Sequence, residues 1–316
     1  MAAIYPDELK DITHIDEEAL LPLREKGVRK ITSAPSGLEG EGFPVKRAFA
    51  GLSTEEIDPF VHMDQMGSIH YEPGAAKGTP WHPHRGFETV TYMIDGAFEH
   101  HDSTGGGGLI TDGDTQWMTA GSGILHIETP PLEKVITGGL FHGIQLWVNL
   151  PAKAKFADPK YQDIRGKSVA MISSKDEGAI ARIIAGELLG EKGPGLTHTP
   201  INLLHASIQS NERLLLPWPK DFNCLVYVLS GKGSISSKDI EIGEGQSAVL
   251  GEGDYLLMKA DRGESADEDS MEVLILGGRP IREPVAKYGP FVMNNMAEIK
   301  QAFEDYSSGK FGRPTT

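Results

Sequence analysis

Two short sequences in the first half of the chain constrain its fold more than any other feature. Each places two metal-binding side-chain types two residues apart: His82 with His84, and His126 with Glu128. Residues i and i+2 of a β-strand point to the same face, so each pair can direct two donor atoms at one point. If the two strands are neighbours in a barrel, three imidazoles and one carboxylate converge. Such a ligand set suits a divalent transition metal.

Composition narrows the class of protein. The 316 residues are 39% hydrophobic and 24% charged, which is typical of a globular chain of about two domains. The 38 glycines and 20 prolines favour many short strands joined by tight turns. A formal net charge of −15 predicts no direct binding of nucleic acid, since it repels phosphates. The single cysteine, Cys224, excludes an intrachain disulfide and a cysteine-rich zinc site.

The compartment is predicted from targeting signals. Residues 1–8 lack the charged and apolar regions of a signal peptide. No apolar run in the sequence approaches the length of a membrane span, so no membrane partner is expected. These features predict a cytoplasmic protein, and a nuclear location stays open for a eukaryotic chain.

Turn signals and alternating hydrophobicity predict strands through most of the chain. Apolar and polar side chains alternate over residues 144–150, the period of a half-buried strand. Residues 28–52 are predicted to form a local hairpin region, and residues 151–166 a linker between two β blocks. The sequence YMIDG at residues 92–96 resembles YVLSG at residues 227–231. This similarity indicates the duplication of one β-barrel unit.

Two helices are expected near the termini. A short one is predicted over residues 17–26, although Pro22 lies inside it. The other lies near the C-terminus, where apolar residues recur on one helical face. Its expected N-cap is Asn294 or Asn295. The apolar face of this second helix comprises Met296, Ile299, Phe303 and Tyr306.

These patterns divide the chain into three predicted parts. Residues 1–155 are expected to form an N-terminal metal-binding barrel, and residues 156–293 a C-terminal barrel without metal. No histidine follows His205 in the sequence, so the second barrel cannot supply imidazoles to a centre of its own. Residues 294–316 are expected to form a C-terminal helix and tail.

The histidine motifs resemble the signature of the cupin superfamily. In that signature, HxHxxxE precedes a strand and a glycine, and a Gly-Asp turn precedes a further histidine. Here HPH at residues 82–84 is followed by Glu88 and Gly96, and Gly113-Asp114 is followed by His126. The distance from this turn to His126 is longer than in the usual cupin motif, and the usual proline is missing.

Longer strings are similar to those of one cupin subfamily, the pirins. They are HPHRGFETV at residues 82–90, QWMTAG at 116–121, QLWVNLP at 145–151 and GPFVMN at 289–294. The resemblance covers nearly the whole chain. It implies an all-β bicupin, with two cupin-type antiparallel β-barrels and a short C-terminal helix.

The resemblance also implies a metal site in the first barrel. Its ligands would be His82, His84, His126 and Glu128. Glu88 occupies the carboxylate position of ordinary cupins and is expected near the site, outside the ligand set. One divalent ion is implied, with Fe(II) expected and Mn, Ni and Cu as alternatives, since all accept nitrogen and oxygen ligands.

The remaining histidines are interpreted as surface or core side chains. His100 and His101 are adjacent, so on a strand they point to opposite faces and cannot both face one site. The others lack a partner at ligand spacing. They include His62, His70, His142, His198 and His205.

Function is expected from the same resemblance. Some pirins have quercetin 2,3-dioxygenase activity, which implies a flavonol-like aromatic substrate and dioxygen, with Glu128 as a general base. Other pirins are non-enzymatic, iron-dependent regulators that bind transcription-factor complexes or metabolic enzymes, so a protein partner is the alternative. A cupin with an unrelated isomerase or oxygenase role is a third reading. The residues alone leave these three hypotheses open.

Overall fold

The computed structural model describes residues 12–262 and 270–314, so residues 1–8, considered above for a targeting signal, lie outside the described part. Strands in the first half are β1 Thr13–His14, β2 Val28–Ser33, β3 Ser36–Glu39, β4 Phe43–Arg47, β5 Phe60–Tyr71, β6 His82–His84, β7 Phe87–Asp95, β8 Ala97–Asp102, β9 Gly107–Thr111, β10 Thr115–Thr119, β11 Ile124–Thr129, β12 Gly139–Asn149 and β13 Lys160–Ile164.

The second half continues the same all-β architecture. Its strands are β14 Ala170–Ser173, β15 Ala179–Ala185, β16 Glu187–Leu188, β17 Glu191–Lys192, β18 Ile201–Gln209, β19 Arg213–Pro217, β20 Leu225–Ser230, β21 Lys232–Ile235, β22 Ile240–Gly243, β23 Gln246–Leu250, β24 Tyr255–Ala260, β25 Ser270–Gly278, β26 Ala286–Tyr288 and β27 Phe291–Met293. The helices are α1 Glu17–Leu20, α2 Thr54–Ile57, α3 Leu132–Thr137 and α4 Met296–Ser307, with 3-10 turns at Ala152–Ala154 and Gly166–Ser168. Across the described ranges, no helix combines the length and the apolar character needed to span a membrane.

The first domain consists of two sheets that enclose an apolar interior. A seven-stranded sheet has the order β13-β10-β7-β12-β5-β4-β3, and a four-stranded sheet has the order β6-β11-β8-β9. Side chains from both sheets pack together in one buried cluster, because alternate residues of each strand point inward. The cluster includes Phe43, Val45, Met66, Met93, Phe98, Ile110 and Phe141.

The second domain repeats this plan. An eight-stranded sheet, β1-β14-β15-β18-β25-β20-β23-β2, lies against a four-stranded sheet, β19-β24-β21-β22. A large core of aliphatic side chains fills the space between them. Two domains of paired antiparallel sheets in one chain agree with the predicted all-β fold of two repeated units.

Two segments lie elsewhere than the local patterns predict. The strand β2 pairs antiparallel with β23 of the second domain, so only β3 and β4 form a local hairpin within the region predicted at residues 28–52. The strand β13, inside the predicted linker, pairs with β10 in the sheet of the first domain. Both pairings join distant parts of the chain, which local turn signals cannot specify. The predicted boundaries at residues 155 and 293 stay predictions.

The interface between the domains contains a pair of equivalent tyrosines. The hydroxyl group of Tyr92, from the first domain, lies 2.8 Å from Nδ1 of His205 in the second. The hydroxyl of Tyr227, from the second domain, donates to Oε1 of Gln65 in the first at 2.6 Å. These are the tyrosines of the two similar YxxxG sequences. Each therefore hydrogen bonds across the interface, within a shared buried apolar cluster.

The C-terminal segment returns to the first domain. Helix α4 confirms the predicted C-terminal helix, and Asn295 is its N-cap, accepting from the amide of Glu298 at 3.0 Å. Helix α1 ends at Leu20, before Pro22. Apolar residues of β27, α4 and the tail pack with Leu125 of β11, which places this segment beside the histidine motifs. The cluster comprises Leu125, Phe291, Met293, Ile299, Ala302 and Phe311.

Candidate metal centre

Two neighbouring strands bring the predicted histidines together. Strand β6 pairs antiparallel with β11, and His82 lies directly opposite His126. Donor atoms of His82, His84 and His126 all lie within 4.8 Å of one another. The ring centroid of His126 is 4.2 Å from that of His82 and 4.8 Å from that of His84. His84 and His126 are buried, and His82 is half-buried at the edge of a cavity.

Each of these rings has a polar neighbour at Nδ1. Nδ1 of His82 lies 2.8 Å from the carbonyl oxygen of Pro80, and Nδ1 of His84 lies 3.2 Å from that of Pro290. A carbonyl oxygen only accepts, so both Nδ1 atoms carry the proton and both Nε2 atoms present a lone pair. Nε2 of His126 is buried and has no hydrogen-bond partner among the described residues. An orphaned ring nitrogen beside two others fits a metal ligand.

The electrostatics favour the ligand form of these imidazoles. Burial lowers the pKa of His84 well below its ordinary value, and the neighbouring His82 lowers it further. Burial likewise lowers the pKa of His126 well below its ordinary value, with His82 and His84 adding to the effect. Both rings are therefore neutral at physiological pH, the state in which histidine binds a metal.

Glu128 lies on the same strand as His126, and its carboxylate is held by three donors. Oε1 accepts from the Thr91 hydroxyl at 2.7 Å and from the Gln116 amide, and Oε2 accepts from Nε2 of Gln145 at 2.9 Å. The carboxylate lines the same cavity as His82 and His84. These donors satisfy a buried anion and fix its orientation.

The four predicted ligands fall into two overlapping groups, the second of which also contains His100. The first contains His82, His84 and His126, and the second contains His100, His126 and Glu128. Both groups share His126. Three imidazoles and a carboxylate are a donor set that fits Fe(II), Mn, Ni or Cu. The complete four-residue ligand set stays a prediction.

His100 is the site residue that sequence reasoning missed. It is fully buried, its Nδ1 lies 3.3 Å from Nδ1 of His126, and its Nε2 lies 3.4 Å from Oδ2 of Asp102. Its ring stacks on Tyr161 with centroids 5.0 Å apart. The adjacent His101 is exposed, so only one of the two faces the site, as strand alternation requires. The shared parity of His100 with Phe98, an inward-facing residue, is the signal that could have identified it.

Glu88 is buried on β7, and its predicted position near the ligand set stays a prediction. Gly86 separates β6 from β7 with a φ of +87°, and this backbone reversal breaks the side-chain alternation that His82 and His84 begin. Thr91 on β7 bonds to Glu128, so Glu88, of opposite parity, points to the other face. There its Oε1 accepts from the hydroxyl of Thr119 at 2.7 Å. Burial raises the pKa of Glu88 to about 7.

A cavity of about 300 Å³ adjoins the histidines. This volume is at the lower end of the range for small-molecule pockets, roughly 300–1,000 Å³. Its apolar wall comprises Phe43, Val45, Met66 and Trp147. Its polar lining includes His82, His84 and Glu128 of the histidine motifs, together with Glu39, His62 and Asp64. An aromatic molecule with a few oxygen atoms matches this lining.

Comparison with known proteins agrees with this geometry. The family model described as Pirin matches residues 42–148, and the one described as Pirin C-terminal cupin domain matches residues 203–312. This chain belongs to the pirin family. As a pirin, it is 40% identical over 276 residues to a Pseudomonas aeruginosa protein named provisionally as a quercetin 2,3-dioxygenase, covering 87% of this chain and 94% of that protein.

Further relatives carry both family names. Pirin of Rattus norvegicus is 38% identical over 277 residues, covering 87% of this chain and 89% of that protein. A crystal structure described as quercetin 2,3-dioxygenase from Acinetobacter baumannii superposes with a TM-score of 0.84 at 37% identity. The match covers 91% of this chain and 99% of that chain. The relatives of this pirin are thus named both as dioxygenases and simply as pirins.

Proposed function

We propose that this protein is a metal-dependent dioxygenase that opens the heterocyclic ring of a flavonol, with His82, His84, His126 and Glu128 holding Fe(II). The observation that carries the proposal is the group of three histidines beside an aromatic-walled cavity. Relatives named as quercetin 2,3-dioxygenases support the substrate class. Quercetin and dioxygen are therefore the proposed substrates.

The chain's own residues have distinct roles in this proposal. A bound divalent ion would supply Lewis acidity and one-electron redox chemistry. Phe43 and Trp147 enclose the planar rings of the flavonol and exclude water. Glu128 is the proposed proton acceptor for the flavonol 3-hydroxyl, at Oε2, once its carboxylate has left the ligand set. That oxygen accepts one hydrogen bond, from Gln145, within the described residues and retains a lone pair.

The environment of Glu128 matches a base that must return its proton. The Thr91 and Gln116 donors on Oε1 stabilise the carboxylate and keep it in one rotamer. Because these donors bind the other oxygen, Oε2 can face the substrate without losing them. General acid–base catalysis by a positioned group contributes about 10²–10⁴-fold to the rate. Glu128→Gln should therefore slow turnover by roughly that factor.

Incubation with quercetin in air tests the proposal. Protein purified without added metal is analysed for its elements, loaded with Fe(II), and mixed with quercetin while the visible absorbance of the flavonol is followed. We expect metal-dependent loss of that absorbance, which His126→Ala abolishes together with metal binding. His101→Ala, an exposed neighbour of the site, is the matched control. A background rate at full metal occupancy would contradict the proposal.

A regulator that binds a protein partner is the second candidate. It is favoured by the second domain, which makes up a large part of the chain yet has no histidine after His205 to contribute to a metal centre. A pull-down that compares the ferrous, ferric and apo forms tests it. Recovery of a partner that depends on the metal state supports the regulator, and equal recovery from all three forms contradicts it.

A further inference from the structure

The lining of the cavity also contains, outside the predicted ligand set, a histidine–carboxylate pair that the proposed chemistry does not use. Strand β5 places His62 and Asp64 two residues apart, so both side chains line the cavity. Nε2 of His62 lies 3.1 Å from Oδ2 of Asp64. A carboxylate oxygen only accepts, so Nε2 carries the proton in this contact. The sequence alone predicts no partner at ligand spacing for His62.

One oxygen of Asp64 is unsatisfied. Asp64 is only 3% exposed, and its Oδ1 is buried without a hydrogen-bond partner among the described residues. Buried polar atoms are nearly always hydrogen bonded, since an unpaired one costs free energy. The orphaned atom belongs to a residue that lines a cavity, so a ligand can supply the missing donor.

Two cations lie near the Asp64 carboxylate and the aromatic wall of the cavity. Nη1 of Arg47 lies 3.5 Å from Oδ2 of Asp64, while Nη2 of the same guanidinium donates to Glu39 at 2.6 Å. The ammonium group of Lys287 lies 5.0 Å from the centroid of the Trp147 ring. Arg47 contacts Oδ2, and Lys287 lies against the ring of Trp147. Oδ1 is therefore an acceptor without a partner among the described residues. A charged acceptor forms the stronger class of hydrogen bond.

The distance from this pair to the metal motif is spanned by one aromatic side chain. The ring of Trp147 lies 5.2 Å from that of His62 and 5.3 Å from that of His84, measured between centroids. A planar ligand that lies along Trp147 from the histidine motif therefore extends toward Asp64. Its oxygen atoms at the metal end and a hydroxyl group at the other end can be bound at once.

We infer that Asp64, held by His62, is a specificity subsite that accepts a hydrogen bond from a phenolic hydroxyl remote from the chelating oxygens of the substrate. This inference rests on the proposed function and refines its substrate class. The protein selects polyhydroxylated flavonols over flavonols that carry only the 3-hydroxyl and 4-carbonyl groups. Asp64 contacts the hydroxyl, and His62 is a positioning residue that orients the carboxylate.

Two probes separate the subsite from the chelating end. Quercetin carries remote hydroxyls, and 3-hydroxyflavone keeps the chelating oxygens but has none. Binding of each to the metal-loaded protein is measured without oxygen, by quenching of tryptophan fluorescence, so that no turnover is needed. We expect the wild type to bind quercetin more tightly. Asp64→Asn should weaken quercetin binding about tenfold, the loss for one hydrogen bond to a charged group, and change 3-hydroxyflavone binding less than about twofold.

Matched variants complete the test. His62→Leu removes the donor to Oδ2 and should weaken quercetin binding about threefold, which keeps the inference testable if Asp64→Asn folds poorly. His70→Leu, an exposed residue of the same strand, should change neither ligand. Metal content, measured for every variant, should be unchanged.

Each contrary result has a distinct meaning. If the wild type binds both flavonols equally, or if Asp64→Asn weakens both equally, the subsite is refuted while the proposed function survives. If the metal-loaded wild type binds neither flavonol, the proposed function fails and the subsite fails with it.

Discussion

The imidazole of His84 donates a hydrogen bond from Nδ1 to the carbonyl oxygen of Pro290 at 3.2 Å, so a residue near the C-terminus orients a predicted metal ligand of the first domain. The next residue, Arg85, extends this contact. Its Nη1 donates to Asp305 of α4 at 2.8 Å, and its guanidinium lies 4.6 Å from the ring centroid of Phe311. The C-terminal segment thus fixes the backbone and side chains around the first histidine motif.

Removing the carboxylate of Asp305 should therefore weaken metal binding. Asp305→Ala leaves the buried guanidinium of Arg85 without its anionic partner and loosens α4, which packs with β27 directly after Pro290. Outer partners of metal ligands typically contribute about 10–100-fold to metal affinity, and we expect a loss near the lower value. Competition with a chelator measures it. Glu304→Ala, exposed on the same helix, is the control, and equal affinities for both variants would contradict the prediction.

The contact between His100 and His126 leads to a second prediction. His100 and Asp102 form a chain of polar contacts that orients His126 from behind. His100→Phe keeps a ring in the stack on Tyr161 but removes this contact, so metal affinity should fall about 10–100-fold. His101→Phe, on the exposed face of the same strand, should have no effect. A chelator titration that finds His100→Phe equal to wild type would refute the role.

Lys155 should be a major determinant of stability. Its buried ammonium donates to the carbonyl oxygens of Gly86 and Val292, each at 2.9 Å, and to the side chain of Asn149 at 2.8 Å. Lys155→Met leaves these acceptors buried without a donor, at a cost of about 3 kcal/mol or more. Thermal or denaturant unfolding measures the change. The exposed Lys153→Met is the matched control, and a similar small shift for both would contradict the prediction.

Glu88 should make stability depend on pH. Burial raises its pKa to about 7, from 4.5 for the unperturbed group. Between these values the folded chain holds a proton that the unfolded chain has released, so stability falls as the pH rises. The loss approaches about 3 kcal/mol, since one pKa unit corresponds to about 1.4 kcal/mol. Glu88→Gln should show a shallower fall between pH 4.5 and 7 in denaturant titrations. Parallel curves for the two proteins would refute this assignment.

The histidine trio could be predicted from the sequence because its geometry is local. Side chains two residues apart share a strand face, and this rule alone places His82 with His84. The alternation does not continue to Glu88, because a left-handed glycine intervenes between the two strands. His100 was missed because its neighbour, His101, has the same chemistry and only the burial of the strand distinguishes them. The alternation of side chains between two faces is regular within one strand, and it is not carried over from one strand to the next.

Contacts between distant residues could not be predicted in this way. The pairing of β2 with β23 and the contact of His84 with Pro290 join positions more than two hundred residues apart. No spacing rule relates such positions, since they are set by the tertiary packing of two domains. The contact of His62 with Asp64 is local, but its meaning depends on the cavity that it faces. The pocket is therefore the part of the site that could not be predicted from the sequence.

Because the C-terminal segment packs on the first domain, the parts of the predicted metal site are synthesised at different times. The ribosome synthesises the predicted ligands His82, His84, His126 and Glu128 well before it synthesises Pro290, Asp305 and Phe311. During that interval His84 has no carbonyl to hold its ring. The predicted metal site is therefore complete only after the segment from Pro290 to Phe311 has been synthesised, and we expect the nascent chain to bind metal weakly before then.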